Sequence, residues 1–324
     1  MNTPAVKVGL ISNPLSQRNK KRRGKLNDIV SSHADILYEP LEEIAALAEI
    51  LKKFSAREVG LIVLDGGDGT VQAALTELLN GNAYDTPPLL CVLPSGMTNL
   101  IAGDVSGKGT PEMGFSRVIE RARNESFDQW IVERHVIRVQ YAPDLSPIYG
   151  MFFGMGAVTR AIEQCRRVIH PLRIEGPGAV GLTLAGLLIR RSIRGNRDDT
   201  VFRGDNITLQ FNDGKAIPIH NLLVLISTLK RLALGTRPFW GEGNGGLQVT
   251  SIAYPPTRFW RSLFPLLYGK ERRNLDSEIY LSQRTDHLAI TMNSPFTLDG
   301  EMFQPSPDIP VRLEAAGPVR FIRW

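Results

Sequence analysis

An unbroken apolar run, Val59–Leu64, leads directly into a glycine-rich loop over residues 65–70, and the loop leads into a helical pattern. Apolar residues recur at helical spacing from Val71 to Leu79, and Gly81 is typical of the end of a helix. A strand without alternating polar residues is typical of a parallel sheet that is covered on both faces. This segment therefore predicts a strand–loop–helix unit of an open α/β sheet.

The same alternation of strands and helices runs through the first 126 residues. Further strands are predicted at Val6–Ser12, Ala34–Tyr38 and Leu89–Leu93, and a helix at Leu41–Phe54. The alternation predicts a doubly wound α/β domain over residues 1–126, which is a fold that commonly binds nucleotides.

Beyond residue 127 the pattern changes to short strands that are separated by Gly, Asn, Asp and Pro. Apolar helices are also predicted at Met155–Val168 and Gly178–Ile193. Repeated short strands predict a β-rich, sandwich-like domain over residues 127–317, where an acceptor or lipid would bind. The last strand-like segment, residues 318–324, is expected to pair within this domain or to return to the first. The predicted fold class is thus α/β followed by β.

The charge and the motif content of the chain limit the classes of function that it can have. The chain carries 38 Lys and Arg against 33 Asp and Glu, a net charge of +5, but no RNA-recognition, zinc-finger or homeodomain pattern, so no nucleic-acid partner is expected. Its two cysteines, Cys91 and Cys165, form neither a disulfide framework nor a CxxC metal site. The N-terminal residues show no signal-peptide pattern, and the longest apolar stretch is too short to span a membrane. We expect a cytoplasmic protein, with peripheral contact at the inner membrane surface as one of two interpretations of residues 255–273.

The loop over residues 65–70 has the composition of a phosphate-binding loop. Its glycines at 66, 67 and 69 let the backbone approach a ligand closely, and the helix that follows offers free N–H groups to an anion. Asp68 would repel a bare phosphate, which implies a cation between them, and Mg²⁺ prefers such oxygen ligands. Thr70 is expected to cap the helix or to donate to phosphate. The alternative is an ordinary glycine turn capped by Thr70.

Two other turns carry candidate functional groups. Ser95, Gly96, Thr98 and Asn99 follow the predicted strand at 89–93, at the edge of an α/β sheet where ligands usually bind. Their small polar groups could bind phosphate or ribose, although an ordinary capped turn has the same composition.

The second of these turns lies near the end of the chain. Asp299 and Glu301 flank Gly300, and such a pair can provide a general base together with a metal-binding or orienting group. A hairpin turn without chemical function is the alternative.

Together these motifs resemble the diacylglycerol kinase catalytic-domain family, which includes bacterial lipid kinases and is related to sphingosine and ceramide kinases. Asn13-Pro14-Leu15-Ser16 resembles the opening NPxSG, and Gly66–Thr70 matches GGDGT. Pro94–Asn99 resembles the P-x-G-T-x-N loop, and Asp299–Glu301 matches the late DGE. The motifs occur in the family's order and span nearly the whole chain.

The resemblance implies an ATP-dependent lipid kinase that binds ATP and Mg²⁺ in a cleft between its two domains. Gly66, Gly67, Asp68, Gly69 and Thr70 would cradle the phosphates, with Asp68 at the metal. Further nucleotide contacts would come from the residues Asn13, Ser16, Ser95, Gly96, Thr98 and Asn99.

The resemblance also implies that Asp299 or Glu301 deprotonates the acceptor hydroxyl, and we favour Glu301. The acceptor would be a lipid such as diacylglycerol or a sphingoid or ceramide-type lipid, and the sequence does not distinguish among these.

Three departures from the family pattern keep other functions open. Gln17 stands in place of the glycine of NPxSG, Met97 replaces a threonine, and Leu100 stands where many relatives have an acid. A nucleotide- or lipid-binding regulator without catalysis would tolerate these changes. A kinase of a soluble acceptor, similar to NAD kinase, also uses GGDGT, but its Thr-Pro-x-Gly-Ser-Thr-Ala-Tyr stretch is missing here.

Residues 255–273 combine aromatic, aliphatic and basic side chains in one short segment. Phe259, Trp260 and Phe264 occur among five Lys and Arg residues, a mixture that suits an interfacial element. Pro265 interrupts any long helix, and packing of the apolar side chains in a core explains the pattern equally well. Peripheral membrane contact through 255–273 is therefore one of two expectations.

Overall fold

The computed structural model describes residues 6–21, 25–124, 127–172, 201–269 and 275–324. The chain divides into two compact units: unit 1 comprises Met1–Arg134 and Gly317–Trp324, and unit 2 comprises His135–Ala316. The sequence placed the boundary after residue 126, whereas the structure divides the chain after Arg134. The helix predicted at Gly178–Ile193 lies outside the described residues.

Unit 1 is built on a parallel sheet. Its strands β1 (Val8–Ser12), β2 (Leu37–Pro40), β3 (Leu61–Gly66) and β4 (Leu89–Pro94) lie in the order β2-β1-β3-β4. All six residues of β3 are buried, as its unbroken apolar run predicts for a strand covered on both faces. The predicted α/β architecture is confirmed.

The helices of unit 1 lie between these strands and after them. They are α1 (Gln17–Lys21), α2 (Lys25–Ser31), α3 (Leu47–Ala56), α4 (Asp68–Asn80), α5 (Leu100–Val105) and α6 (Pro111–Asn124). Single 3₁₀ turns occur at Ile44–Ala46 and Asp128–Trp130. The core contains Phe115 of α6 and, from the other end of the chain, Ile322 and Trp324.

Unit 2 consists mainly of antiparallel strands, of which the first begins in unit 1 and the last ends there. They are β5 (Ile131–Gln140), β6 (Ile148–Gly150), β7 (Phe152–Gly156), β8 (Asp205–Phe211), β9 (Ile217–Ser227), β10 (Leu247–Ala253), β11 (Tyr280–Thr285), β12 (His287–Thr291), β13 (Phe296–Leu298), β14 (Glu301–Phe303) and β15 (Val311–Ile322). Strand β9 pairs with β7, β8 and β10, and a core with Phe153 stacked on Phe296 packs against these strands. The expected β-rich region is confirmed.

Two helices accompany the strands of unit 2. Helix α7 (Ala157–Leu172) follows β7 directly, and α8 (Phe259–Tyr268) packs on a second apolar cluster. A 3₁₀ turn occurs at Ala233–Gly235. No helix in the described part of the chain is both long enough and apolar enough to cross a membrane.

Strand β15 differs from the prediction. The sequence predicted 318–324 as a separate last segment that pairs within the second domain or returns to the first. The structure has one strand that begins in unit 2, where it pairs with β12, and ends in unit 1, where Phe321 pairs with Leu90 of β4. Proline removes one backbone donor but its φ is compatible with an extended chain, so the strand continues.

Candidate functional site

The glycine-rich loop of unit 1 is short, since only Gly67 separates the end of β3 from the start of α4. Gly67 is the N-cap residue, and its carbonyl accepts hydrogen bonds from Thr70 N at 3.0 Å and Val71 N at 3.1 Å. The expectation that Thr70 caps the helix is therefore wrong. Thr70 lies inside the first turn, where the first N–H groups of α4 remain available to an anion.

The second loop touches the first through its backbone. A Cβ added to Gly96 would lie only 2.6 Å from the Cα of Gly67. Strands β3 and β4 are adjacent and parallel, so their carboxyl ends reach the same edge of the sheet. The two loops predicted to bind a nucleotide thus lie against each other. Gly96 has no room for a side chain, and a Cβ at Gly67 would be tight, at 3.3 Å from the Cα of Gly96.

The carboxylate of Asp68 holds these loops together. Its Oδ2 accepts a hydrogen bond from Leu100 N, and its Oδ1 accepts one from Ile101 N, both at 3.0 Å. These are the first N–H groups of α5, so Asp68 satisfies donors that a helix start leaves free. Burial raises the pKa of Asp68, and the two backbone hydrogen bonds oppose that shift.

Asp65 is a site residue that the sequence analysis missed. Its side chain is completely buried and accepts hydrogen bonds from Ser12 Oγ at 2.5 Å, Asn19 Nδ2 at 2.8 Å and Ser95 Oγ. These donors come from the end of β1, from α1 and from the loop after β4. A charged residue at the end of an otherwise apolar strand was the available signal. Ser95, predicted as a ligand contact, is used inside this network.

Desolvation by burial raises the pKa of Asp65, while the hydrogen bonds from Ser12, Ser95 and Asn19 oppose the increase. The folded state therefore binds this proton more tightly than the unfolded state does. The resulting stabilisation is complete below the ordinary value of 3.8 and is lost as the pH rises through the raised pKa.

Asn13 contacts both Ser16 and Thr70. Asn13 Nδ2 donates to Thr70 Oγ1 at 2.9 Å, and Asn13 N donates to the carbonyl of Asp65 at 2.9 Å. The Oγ of Ser16 is buried and has no hydrogen-bond partner among the described residues. A buried hydroxyl without a partner is costly, so Ser16 has an unused capacity to bind a ligand.

Asn99 stabilises the second loop from within. It adopts a left-handed backbone conformation with φ of 50°, and its side-chain amide bonds both backbone groups of Gly96, at 2.7 and 2.9 Å. Asn99 therefore fixes the turn that carries Gly96 and Thr98.

In unit 2, Asp299 and Gly300 form the turn between β13 and β14. Their φ values of 49° and 94° are typical of the Asp-Gly turn of a two-residue hairpin. Asp299 Oδ2 accepts a hydrogen bond from Met151 N, and Oδ1 accepts one from Phe152 N, both at 2.9 Å. Asp299 is buried and attached to this backbone, whereas Glu301 at the start of β14 is exposed.

The predicted magnesium site depends on Asp68 alone. Among the described residues, no group of three or more His, Cys, Asp or Glu side chains is arranged to hold a metal ion. Mg²⁺ commonly binds through one or two carboxylates, with water and substrate phosphates completing its shell. Both oxygens of Asp68 already accept backbone N–H groups, so only their remaining lone pairs could bind an ion, and the metal role of Asp68 stays a prediction.

Replacement of Asp65 by alanine is expected to destabilise the protein. Three donors would lose their acceptor in a buried site, which costs about 2–4 kcal/mol in the free energy of unfolding. Denaturant unfolding would measure this loss, and the exposed Asp85→Ala, also in unit 1, is the matched control. Equal stability of the two variants would show that the Asp65 network contributes nothing. Asp65→Asn should also flatten the pH dependence of stability.

Comparison with known proteins gives a family match for part of the chain. Residues 7–128 match the family model described as the diacylglycerol kinase catalytic domain. A search of the curated proteins finds no match.

Solved structures have the same fold along the whole chain. A diacylglycerol kinase from Bacillus anthracis str. Sterne is 14% identical with a TM-score of 0.64, and the match covers 99% of this chain and 98% of that chain. A second structure from that organism, provisionally described as a diacylglycerol kinase, is 15% identical with a TM-score of 0.70 and covers 99% and 98%.

The family match supports a kinase enzyme, and the solved structures show the shared fold. More specifically, the family match over residues 7–128 is to the diacylglycerol kinase catalytic domain, which confirms the resemblance deduced from the motifs.

Proposed function

We propose that this protein is an ATP-dependent lipid kinase that transfers the γ-phosphoryl group of ATP to a hydroxyl of a lipid. Diacylglycerol and sphingoid or ceramide-type lipids are the candidate acceptors. The contact between Gly67 and Gly96 is the observation that carries the proposal. It joins two loops at the carboxyl edge of a parallel sheet, within the part of the chain that matches the family.

The proposed nucleotide site lies in unit 1. N–H groups of the first turn of α4 would bind phosphate oxygens, and the buried Ser16 hydroxyl would donate an additional hydrogen bond. Asp68 would hold Mg²⁺, which when bound neutralises phosphate charge. Because phosphoryl transfer needs little covalent chemistry from the protein, positioning and charge neutralisation account for most of the catalysis.

Glu301 is the proposed general base. Both carboxylate oxygens of Asp299 already accept backbone N–H groups, which hold the carboxylate in place. Glu301 is exposed and would accept the proton of the acceptor hydroxyl on its carboxylate. In this proposal Asp299 fixes the hairpin turn that positions Glu301. A lipid acceptor also places the enzyme at a membrane surface, on the cytoplasmic side.

The proposal predicts ATP-dependent phosphorylation of at least one lipid. The purified chain would be incubated with labelled ATP, Mg²⁺ and mixed micelles containing diacylglycerol, sphingoid bases or ceramide, and the products resolved by mass. We expect one lipid class to gain a phosphoryl group, whereas NAD should remain unmodified.

Two results would contradict it. Phosphorylated NAD would indicate a kinase of a soluble acceptor. ATP binding without consumption, with every acceptor, would favour a regulator that binds nucleotide without turnover. The structural use of both Asp68 and Asp299 in backbone hydrogen bonds is compatible with such a regulator.

A further inference from the structure

Unit 2 exposes large apolar side chains on two neighbouring segments. Phe264 and Tyr268 of α8 are 72% and 47% exposed, and Leu234 in the preceding loop is 62% exposed. We call residues 230–237 and 258–268 the docking patch. Single exposed apolar residues are ordinary on a protein surface. These three differ in the way that the surrounding structure holds them.

Helix α8 has two distinct apolar faces. Phe259 and Leu266 are buried in a cluster of unit 2, and Leu263 packs against that cluster, so one face already provides the core contacts. Phe264 and Tyr268 lie elsewhere on the helix, with ring centroids 5.4 Å apart. Packing in the core therefore explains the buried apolar side chains of 255–273, but it does not explain why Phe264 and Tyr268 are exposed.

The loop over residues 230–237 is attached to the end of α8. Arg237 N donates a hydrogen bond to the carbonyl of Leu267 at 2.8 Å. Leu234 adopts a left-handed conformation with φ of 56° and ψ of 21°, which is unfavourable for a side chain with a Cβ. A strained backbone thus holds an apolar side chain in water, and such strain occurs most often at functional positions.

All charged residues of the docking patch are basic. The exposed cations are Lys230, Arg231, Arg237, Arg258 and Arg261. Neither 230–237 nor 258–268 contains an Asp or Glu. Exposed aromatic and aliphatic side chains among cations complement a surface that has anionic headgroups above an apolar interior. A second copy of the patch would instead oppose like charges.

We propose that the docking patch binds an anionic lipid bilayer, with Leu234 and Phe264 entering the interface and the cations contacting lipid phosphates. This inference rests on the proposed lipid kinase function, because it names the surface through which such a kinase would reach its lipid acceptor. It concerns binding, however, so it can be measured without any phosphoryl transfer.

The test is flotation of the full chain with vesicles of phosphatidylcholine containing phosphatidylglycerol, compared with pure phosphatidylcholine. We expect binding to the anionic vesicles that weakens as salt is added.

Arg231→Gln combined with Arg261→Gln should lower partitioning by roughly 25-fold, about fivefold for each cation. Leu234→Asn combined with Phe264→Asn should lower it by at least about tenfold. Leu145→Asn, at an exposed leucine elsewhere in unit 2, should bind like the wild type.

Two outcomes would overturn the proposal, and a third would separate it from the kinase proposal. Equal partitioning of the wild type and both double variants would remove the docking patch from membrane binding. A concentration-dependent doubling of mass that is lost in the Phe264→Asn variant would assign the patch to a second copy of the chain. If flotation succeeds but no lipid is ever phosphorylated, the docking patch stands and the kinase proposal fails.

Discussion

Replacing Asp68 by alanine is expected to lower the turnover of lipid phosphorylation by about a hundredfold or more. The substitution removes the carboxylate proposed to hold Mg²⁺ and the acceptor for Leu100 N and Ile101 N. The change therefore affects both the charge of the site and the position of the second loop. The measurement is steady-state turnover with labelled ATP and the accepted lipid, over a range of Mg²⁺ concentrations.

Asp68→Asn separates these two effects. The amide retains one oxygen that accepts a backbone N–H, but it carries no charge, so we expect the loop to be largely preserved and turnover to stay low. Full turnover in Asp68→Asn would show that the charge is unnecessary and that the role of Asp68 is structural. Asp85→Asn, an exposed neutralisation in the same unit, should leave turnover unchanged.

Replacing Glu301 by glutamine is expected to lower turnover by about 10²–10⁴-fold without loss of the fold. Glutamine has nearly the same shape but cannot accept the hydroxyl proton, and Glu301 is exposed, so its replacement should cost little stability. ATP affinity, measured by calorimetry, should be retained. Turnover at the wild-type rate in Glu301→Gln would refute its assignment as the base.

The neighbouring acid should behave differently. Asp299→Asn weakens the hydrogen bonds to Met151 N and Phe152 N, so its main expected effect is a lower free energy of unfolding. Glu242→Gln, at an exposed acid elsewhere in unit 2, is the matched control and should change neither quantity. A larger loss of turnover in Asp299→Asn than in Glu301→Gln would reverse the assignment of the two carboxylates.

The local elements were predictable from the sequence because their signals are local. The apolar run before Gly66 and the helical spacing after it identified β3 and α4, since burial on both faces and a 3.6-residue period leave direct traces in a sequence. The Asp-Gly pair at 299–300 likewise predicted a turn.

Contacts between distant segments were not predictable in this way. Asp65 binds groups from Ser12, Asn19 and Ser95, and only the strand order brings these residues together. Asp68 was expected at a metal, but no local pattern shows that its carboxylate reaches the start of α5. Thr70 was assigned to the helix cap because the sequence does not show that α4 begins directly after Gly67.

Unit 1 is built from both ends of the chain, and this affects the order in which the two units can fold during synthesis. Ile322 and Trp324 are buried in its core, and Phe321 pairs with β4, yet a ribosome makes residues 317–324 only after all of His135–Ala316. The unit that emerges first is therefore completed last. Until residues 317–324 have been made, strand β4 is an open edge of the sheet of unit 1. Its unpaired backbone groups are then exposed to other chains or chaperones.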